Sequence, residues 1–157
     1  MTRAPVLASV LAIGALVAPT AATPQVPTEE PAARQQQADL AGLLEAIAAY
    51  WEDGNAAALA EHGAGAGLEL EIAGQLVGSL NGRRAAAALR QLFGGQVTVR
   101  VETASVATVV GAEDRAFGEL IWEVRMPGAA VTESRKVFVA LVREERAWRI
   151  SQIRILP

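Results

Sequence analysis

The chain has 157 residues, just over half of them apolar, which is enough for one domain with a substantial core and terminal extensions. Its formal net charge is −3 and its basic residues form no run or stripe, so a nucleic-acid partner is not expected. Cysteine is absent and histidine occurs once, which excludes disulfides, thiolate ligands, lipid attachment to cysteine and metal sites built from several histidines. We therefore predict that the protein works without a metal or a cofactor.

The N-terminal residues have the features of an export signal. Arg3 precedes an apolar run from Val6 to Ala18, about a dozen residues long, whereas a membrane-spanning helix needs roughly 20. Small residues follow the run, so we predict that residues 1–22 are a signal peptide, removed on export to the periplasm or the extracellular space. The alternative is an uncleaved membrane anchor. After cleavage, we expect no stable membrane span.

Residues 23–37 are rich in proline and glutamine and show no apolar period, so we predict a disordered tether there. The folded domain is then predicted to span residues 38–157, with Asp39 placed to cap its first helix. The apolar residues of that helix fall on one stripe at helical spacing: Leu40, Leu43, Leu44, Ile47 and Trp51.

Two further helices are predicted from their caps. Gly54 ends the first helix, and Asn55 caps a short second helix from Ala56 to Glu61 or His62. The glycine-rich residues 63–67 do not fit a dinucleotide-binding loop, because no strand precedes them and no helix follows them. They are interpreted as a turn into the sheet. Asn81 caps a third helix, which ends at a pair of glycines.

Alternating apolar and polar residues predict the strands. A short hairpin that begins with Leu68–Ile72 precedes the third helix, and four long strands follow that helix, the first of them with a bend near Ala104. The last strand changes phase, and a β-bulge at Ser151 or Gln152 is expected because it would return the apolar residues to one face. Those residues are Trp148, Ile150, Ile153 and Ile155.

Strands do not alternate with helices in this order, so the predicted fold class is α+β with a mostly antiparallel sheet. The order, with Gly54-Asn55 between the paired helices and Trp148-Arg149-Ile150 near the end, resembles the nuclear transport factor 2-like superfamily (SnoaL-like, cystatin-like), and in particular its small exported members. The resemblance covers residues 38–157. It implies three helices packed in the hollow of a strongly bent sheet, which gives a cone with a pocket at its wide end. The superfamily includes isomerases, dehydratases, epoxide hydrolases, polyketide cyclases and non-catalytic binding modules, so the fold alone does not define the function.

The candidate catalytic residues are His62, Glu69 and Glu71. His62 is the one imidazole and a possible general base, but a histidine that ends a helix near free carbonyls is the simpler interpretation. Glu69 and Glu71 share one strand face, as do Glu119 and Glu123, and paired carboxylates can divide acid and base roles. A solvated strand face explains them more simply. Catalytic members of the superfamily usually carry an Asp or His dyad in the pocket, and the aspartates of this chain fall at a cap, a turn and a loop.

Five aromatic residues are candidates for the lining of an apolar pocket, although aromatic residues at such spacing more often form core: Tyr50, Trp51, Trp122, Phe138 and Trp148. We therefore predict an exported, non-catalytic domain that binds a small apolar ligand or a protein partner. One alternative is a cofactor-independent lyase, isomerase or hydrolase that uses His62 with a glutamate or Tyr50. Another is a purely structural dimer.

The unbroken apolar run Val137–Val142 is typical of a strand covered on both faces. Helices can cover only one face in this order of elements, so the sequence predicts a homodimer that pairs through the other face of the sheet. Ile121, between Glu119 and Glu123, adds an apolar residue to an otherwise charged strand face.

Overall fold

The computed structural model describes residues 29–156. The elements are α1 (Glu29–Glu52), α2 (Ala56–Glu61), β1 (Leu68–Ile72), β2 (Gln75–Leu80), α3 (Gly82–Gly94), β3 (Val97–Val109), β4 (Ala112–Arg125), β5 (Glu133–Glu144) and β6 (Ala147–Leu156). The predicted α+β order of helices and strands is confirmed. The predicted signal peptide and residues 23–28 of the predicted tether lie outside the described residues. Within residues 29–156, no helix combines the length and apolar character needed to cross a membrane.

The first helix begins ten residues before Asp39, the residue predicted to cap it. Residues 29–37 are helical, so the prediction of a tether is wrong for them. This part of the helix has no apolar stripe to reveal it, but alanine, glutamine and arginine are good helix formers, and a proline in the first turn removes no intrahelical hydrogen bond. Gln36 Nε2 donates to the carbonyl of Glu113 at 3.1 Å, which ties the extension to the β3–β4 hairpin. Asp39 lies inside the helix and accepts a hydrogen bond from Gln35 Nε2 at 2.8 Å.

The other predicted caps are confirmed. Asn55 accepts a hydrogen bond from the backbone N–H of Ala58 at the start of α2, and Asn81 accepts one from that of Arg84 at the start of α3, both at 3.1 Å. Gly54, between α1 and α2, has a φ of +63°, which favours glycine. These caps fix the ends of α2 and α3 against the sheet.

Six strands form one sheet in the order β2-β1-β6-β5-β4-β3, in which β1 and β6 are parallel and every other pair is antiparallel. The expected bulge in β6 is confirmed at Ser151, because Ala140 pairs with Gln152 while Leu141 pairs with Ile150. Ser151 Oγ donates to the carbonyl of Ala140 at 3.1 Å. The bulge places all four apolar residues of β6 on the buried face: Trp148, Ile150, Ile153 and Ile155.

The expected bend in β3 is also a bulge, because Thr103 pairs with Leu120 and Ser105 with Glu119, which leaves Ala104 unpaired. A second bulge at Val99 separates Thr98 from Arg100 in the pairing with β4. Bulges of this kind bend a strand and increase its twist.

The three helices pack on one face of the curled sheet. The buried stripe of α1 meets a set of inward-facing strand residues in one core, with Leu40, Leu44, Ile47 and Trp51 fully buried. On β5 the inward residues Val137, Val139 and Leu141 are buried, whereas the alternate residues are only partly buried: Phe138, Ala140 and Val142. The expectation that β5 is covered on both faces is therefore wrong for the described chain. We call the face that carries Phe138 the outer face.

Candidate functional site

Two of the five predicted pocket aromatics pack together in the core. Trp51 and Trp122 are fully buried, with ring centroids 5.3 Å apart in an edge-to-face arrangement. Phe93 of α3 completes the cluster at 5.2 Å from Trp51 and 6.2 Å from Trp122. Trp122 Nε1 donates to Thr98 Oγ1 at 3.1 Å, which the bulge at Val99 makes possible. These rings occupy the space between the helices and the sheet, where the resemblance places a pocket.

A groove of about 680 Å³ lies on the outer face, at the end of the sheet that carries the β5–β6 turn. We call it the outer groove. Its floor is apolar and its rim is polar, and its volume is that of a small-molecule site. The floor is formed by Val109, Phe117, Ala140 and Val142, and the rim by Glu69, Ser79, Arg115, Glu144 and Gln152.

Strand register places these side chains together. Ser79, Glu69, Gln152, Ala140 and Phe117 are successive cross-strand partners from β2 to β4, so they form one row across five strands. The bulge at Ser151 turns Gln152 to the outer face, where its Nε2 donates to Glu69 Oε2 at 3.1 Å. The same bulge therefore completes the core on one face and the polar rim on the other.

The glycine-rich residues 63–67 form one wall of the groove. The N–H of Gly65 donates to both carboxylate oxygens of Glu144, at 3.1 and 3.0 Å. Gly67 has a φ of +107°, and a Cβ at this position would lie 2.8 Å from Ser79 Oγ, so only glycine fits. The prediction of a turn into the sheet is confirmed. This wall is fixed at both ends, by Glu144 and by β1.

The structure does not bring the three candidate catalytic residues together. His62 follows α2, its carbonyl accepts from the N–H of Ile150 at 2.7 Å, and its ring stacks on Tyr50 with centroids 5.7 Å apart. Among the described residues, its imidazole has no hydrogen-bond or ion-pair partner. Glu71 forms an ion pair with Arg154, with Nε 2.8 Å from Oε2, and Glu69 lies in the outer groove.

The remaining predicted site residues lie apart from the outer groove. Phe138 lies half-buried on the outer face between Glu119 and Arg154, and Trp148 lies at the end of the inward face. Glu119 is engaged by Lys136 at 3.0 Å. The aromatic residue that lines the groove is Phe117, which the sequence interpretation did not single out. The alternation along β4 offered a signal, because Phe117 lies on the same strand face as Glu119, whereas the core residues of β4 lie on the opposite face.

No family model matches the chain, and no curated protein matches it. Several solved structures share its fold. A ketosteroid isomerase-like protein from Erwinia carotovora atroseptica aligns with a TM-score of 0.62 at 13% identity, over 76% of this chain and 93% of that one. A DUF4783 family protein from Bacteroides uniformis aligns at 0.60 with 16% identity, over 71% and 94% of the two chains. A nuclear transport factor 2-like protein with a cystatin-like fold from Novosphingobium aromaticivorans aligns at 0.59 with 19% identity, over 82% and 88%.

The fold is the nuclear transport factor 2-like fold. The resemblance inferred from the order of elements is thereby confirmed. At identities of 13–19% these likenesses show the fold alone, so the function has to be argued from this chain's own residues.

Proposed function

We propose that this protein is an exported, non-catalytic binding domain whose outer groove takes one small ligand with an apolar body and polar groups at its edge. The observation that carries the proposal is the groove itself, in which an apolar floor is surrounded by convergent polar side chains. Export is inferred from the sequence of residues 1–22.

The polar rim indicates what the ligand offers. Glu69 and Glu144 supply carboxylate oxygens, Arg115 supplies donors, and Ser79 and Gln152 can do either. Phe117 is 44% exposed and presents its ring to the groove. A ligand with an aliphatic or aromatic body and hydroxyl or amino groups would satisfy both surfaces, because buried polar groups need partners.

Binding is favoured over catalysis by the separation of the titratable groups. A general base or nucleophile is oriented by a second group within hydrogen-bond reach. His62 has no such partner among the described residues, and the carboxylate of Glu71 is engaged by Arg154. A lyase, isomerase or hydrolase that depends on these residues is therefore the less supported alternative.

The proposal is tested by a substitution that fills the groove and leaves the core residues unchanged. Ala140→Trp adds a large ring to the floor, and Ala87→Trp is the matched control on an exposed position of α3. The neutral apolar probe N-phenyl-1-naphthylamine should bind the folded wild-type domain and the control at one site, because it carries no anionic group for the arginines elsewhere on the surface. Ala140→Trp should abolish this binding while leaving the unfolding transition in place. Equal probe binding by both variants would contradict the proposal.

A second candidate is a structural homodimer that pairs through the outer face. The observation that favours it is the apolar content of that face, where Phe117, Ile121 and Phe138 are covered by no helix of the described chain. A two-fold pair would lay each face on its copy. Pairing of this kind would cover the outer groove, so added ligand and dimer formation should compete.

A further inference from the structure

A second cleft, of about 310 Å³, lies beside the β5–β6 hairpin. It is also lined by residues of α1 and by the residue that follows α2. Three arginines and the one histidine line it: Arg143, Arg146, Arg149 and His62. We call it the arginine cleft. Gln36, Asp39, Leu43, Ala147 and Trp148 complete its lining.

The tight hairpin brings the three arginines together. Arg143 lies near the end of β5 and pairs directly with Trp148 of β6. The two side chains therefore share the inward face. Arg146 lies in the two-residue turn, and Arg149 follows Trp148. In the sequence these arginines are spaced three apart and interrupted by two glutamates, so no basic run is visible there.

One acidic side chain lines the cleft, and two others lie beside it. Glu144 is directed to the outer groove, where it accepts both hydrogen bonds from Gly65. Glu145, in the turn, is exposed and lies beside Arg146 and Arg149, although it is not part of the cleft lining. Asp39 does line the cleft and keeps its negative charge, because its hydrogen-bond donor, Gln35 Nε2, belongs to a neutral amide. Arg143 and Arg146 form no ion pair with any described side chain.

Three side chains of the cleft are held in place by contacts within the domain. Arg149 Nη1 donates to the carbonyl of Glu61 at 3.3 Å, at the end of α2. The His62 ring is stacked on Tyr50, and Trp148 is 7% exposed. Arg143 and Arg146 are exposed, and the planar guanidinium presents paired N–H groups that match the two oxygens of a carboxylate or phosphate.

We propose that the arginine cleft is a binding site for a small oxyanion, either a carboxylate or a phosphate group, separate from the outer groove. Three arginines and one aspartate line the cleft, in a chain whose formal net charge is −3. Such a local excess of positive charge attracts anions even when the whole protein is acidic. The volume suits a small anion or the acidic end of a larger molecule.

Titration of the exported chain at constant ionic strength, followed by the indole N–H resonance of Trp148, tests the proposal. Inorganic phosphate and succinate are used as the two probes. Saturable binding of phosphate alone assigns the site to phosphate groups, and saturable binding of succinate alone assigns it to carboxylates. Binding of both supports the shared oxyanion chemistry.

Arg146→Gln and Arg143→Gln should each weaken that binding about tenfold, the loss expected for one charged donor. Arg90→Gln, an exposed arginine of α3, is the matched control and should leave it unchanged. Arg146 lies exposed in a turn, so its substitution should not alter the far-ultraviolet circular dichroism of the domain. No saturable binding of either anion up to about 20 mM, or equal binding by wild type and Arg146→Gln, would overturn the proposal.

Discussion

Leu44 of α1 packs directly on Gly118 of β4. A Cβ at Gly118 would lie 2.5 Å from Leu44 Cδ1 and 2.7 Å from Cδ2, so α1 approaches the sheet this closely only because residue 118 has no side chain. Gly118→Ala should therefore destabilise the domain by about 1–3 kcal/mol through overpacking, measured by denaturant unfolding. Leu44→Ala leaves a cavity and has its own cost, but the two changes act on one contact, so the double variant should lose less stability than the sum of the two single losses.

Gly42 provides the opposite case on the same helix. It is exposed, and a Cβ there would meet nothing within 4 Å. Gly42→Ala should stabilise the domain by about 0.5–1 kcal/mol, because alanine loses less backbone entropy in a helix. Stabilisation by Gly118→Ala as well as by Gly42→Ala would show that α1 does not pack on β4 as described.

The bulge at Ser151 should be required for folding. Deleting Ser151 would shift either Trp148 and Ile150 or Ile153 and Ile155 to the outer face, because a one-residue slip reverses every side chain beyond it. The deletion variant should lack a cooperative unfolding transition. Ser151→Ala keeps the bulge and loses only the hydrogen bond to Ala140, so its cost should be about 0.5–1.5 kcal/mol. A deletion variant as stable as Ser151→Ala would contradict this role.

His62→Ala should leave the fold nearly intact. The substitution removes the stacking on Tyr50 but keeps the backbone hydrogen bonds to β6, so the free energy of unfolding should change by about 0.5–1 kcal/mol. Probe binding in the outer groove should not change, because His62 lines the other cleft. If a measured turnover fell more than about a hundredfold in this variant, His62 would be a general base and the non-catalytic account would be wrong.

Phe138→Glu on the outer face tests the homodimer. The mass in solution is measured by light scattering at a protein concentration of about 100 μM. At that concentration, a dimer with a Kd near 10 μM would be mostly formed. Dissociation of a wild-type dimer by Phe138→Glu, but not by Val110→Glu at the exposed β3–β4 turn, would support pairing. A wild-type domain that stays monomeric would rule it out. Val139→Glu is unsuitable, because Val139 is 0% exposed and a charge there should unfold the domain.

The elements that could be predicted from the sequence are those with a local physical signature. Asn55 and Asn81 are caps recognisable by residue type, and the phase change around Ser151 is visible as a break in alternation. The start of α1 was missed because its first ten residues carry no apolar stripe. An extension held by Gln36 on Glu113 depends on a contact 77 residues away, which no local pattern reveals.

The outer groove and the arginine cleft also depend on contacts between residues that are distant in the sequence. Glu69 meets Gln152 through the parallel pairing of β1 with β6, which a sequence of alternating strands does not specify. Arg143 and Arg149 reach one cleft only because the hairpin turn is two residues long. Trp51 and Trp122 were candidates for a pocket lining, with core as the simpler interpretation, and they pack against each other in the core.

The most direct test of the outer groove as a binding site is native mass spectrometry of the protein, purified without denaturation from the cells that make it. The account predicts that the wild-type domain and Ala87→Trp each carry one bound small molecule, seen as an increase in mass. Ala140→Trp should lack this increase, and all three proteins should be folded. A domain that carries no additional mass and takes up none from its native extract, or an Ala140→Trp variant that keeps the same mass, would contradict it.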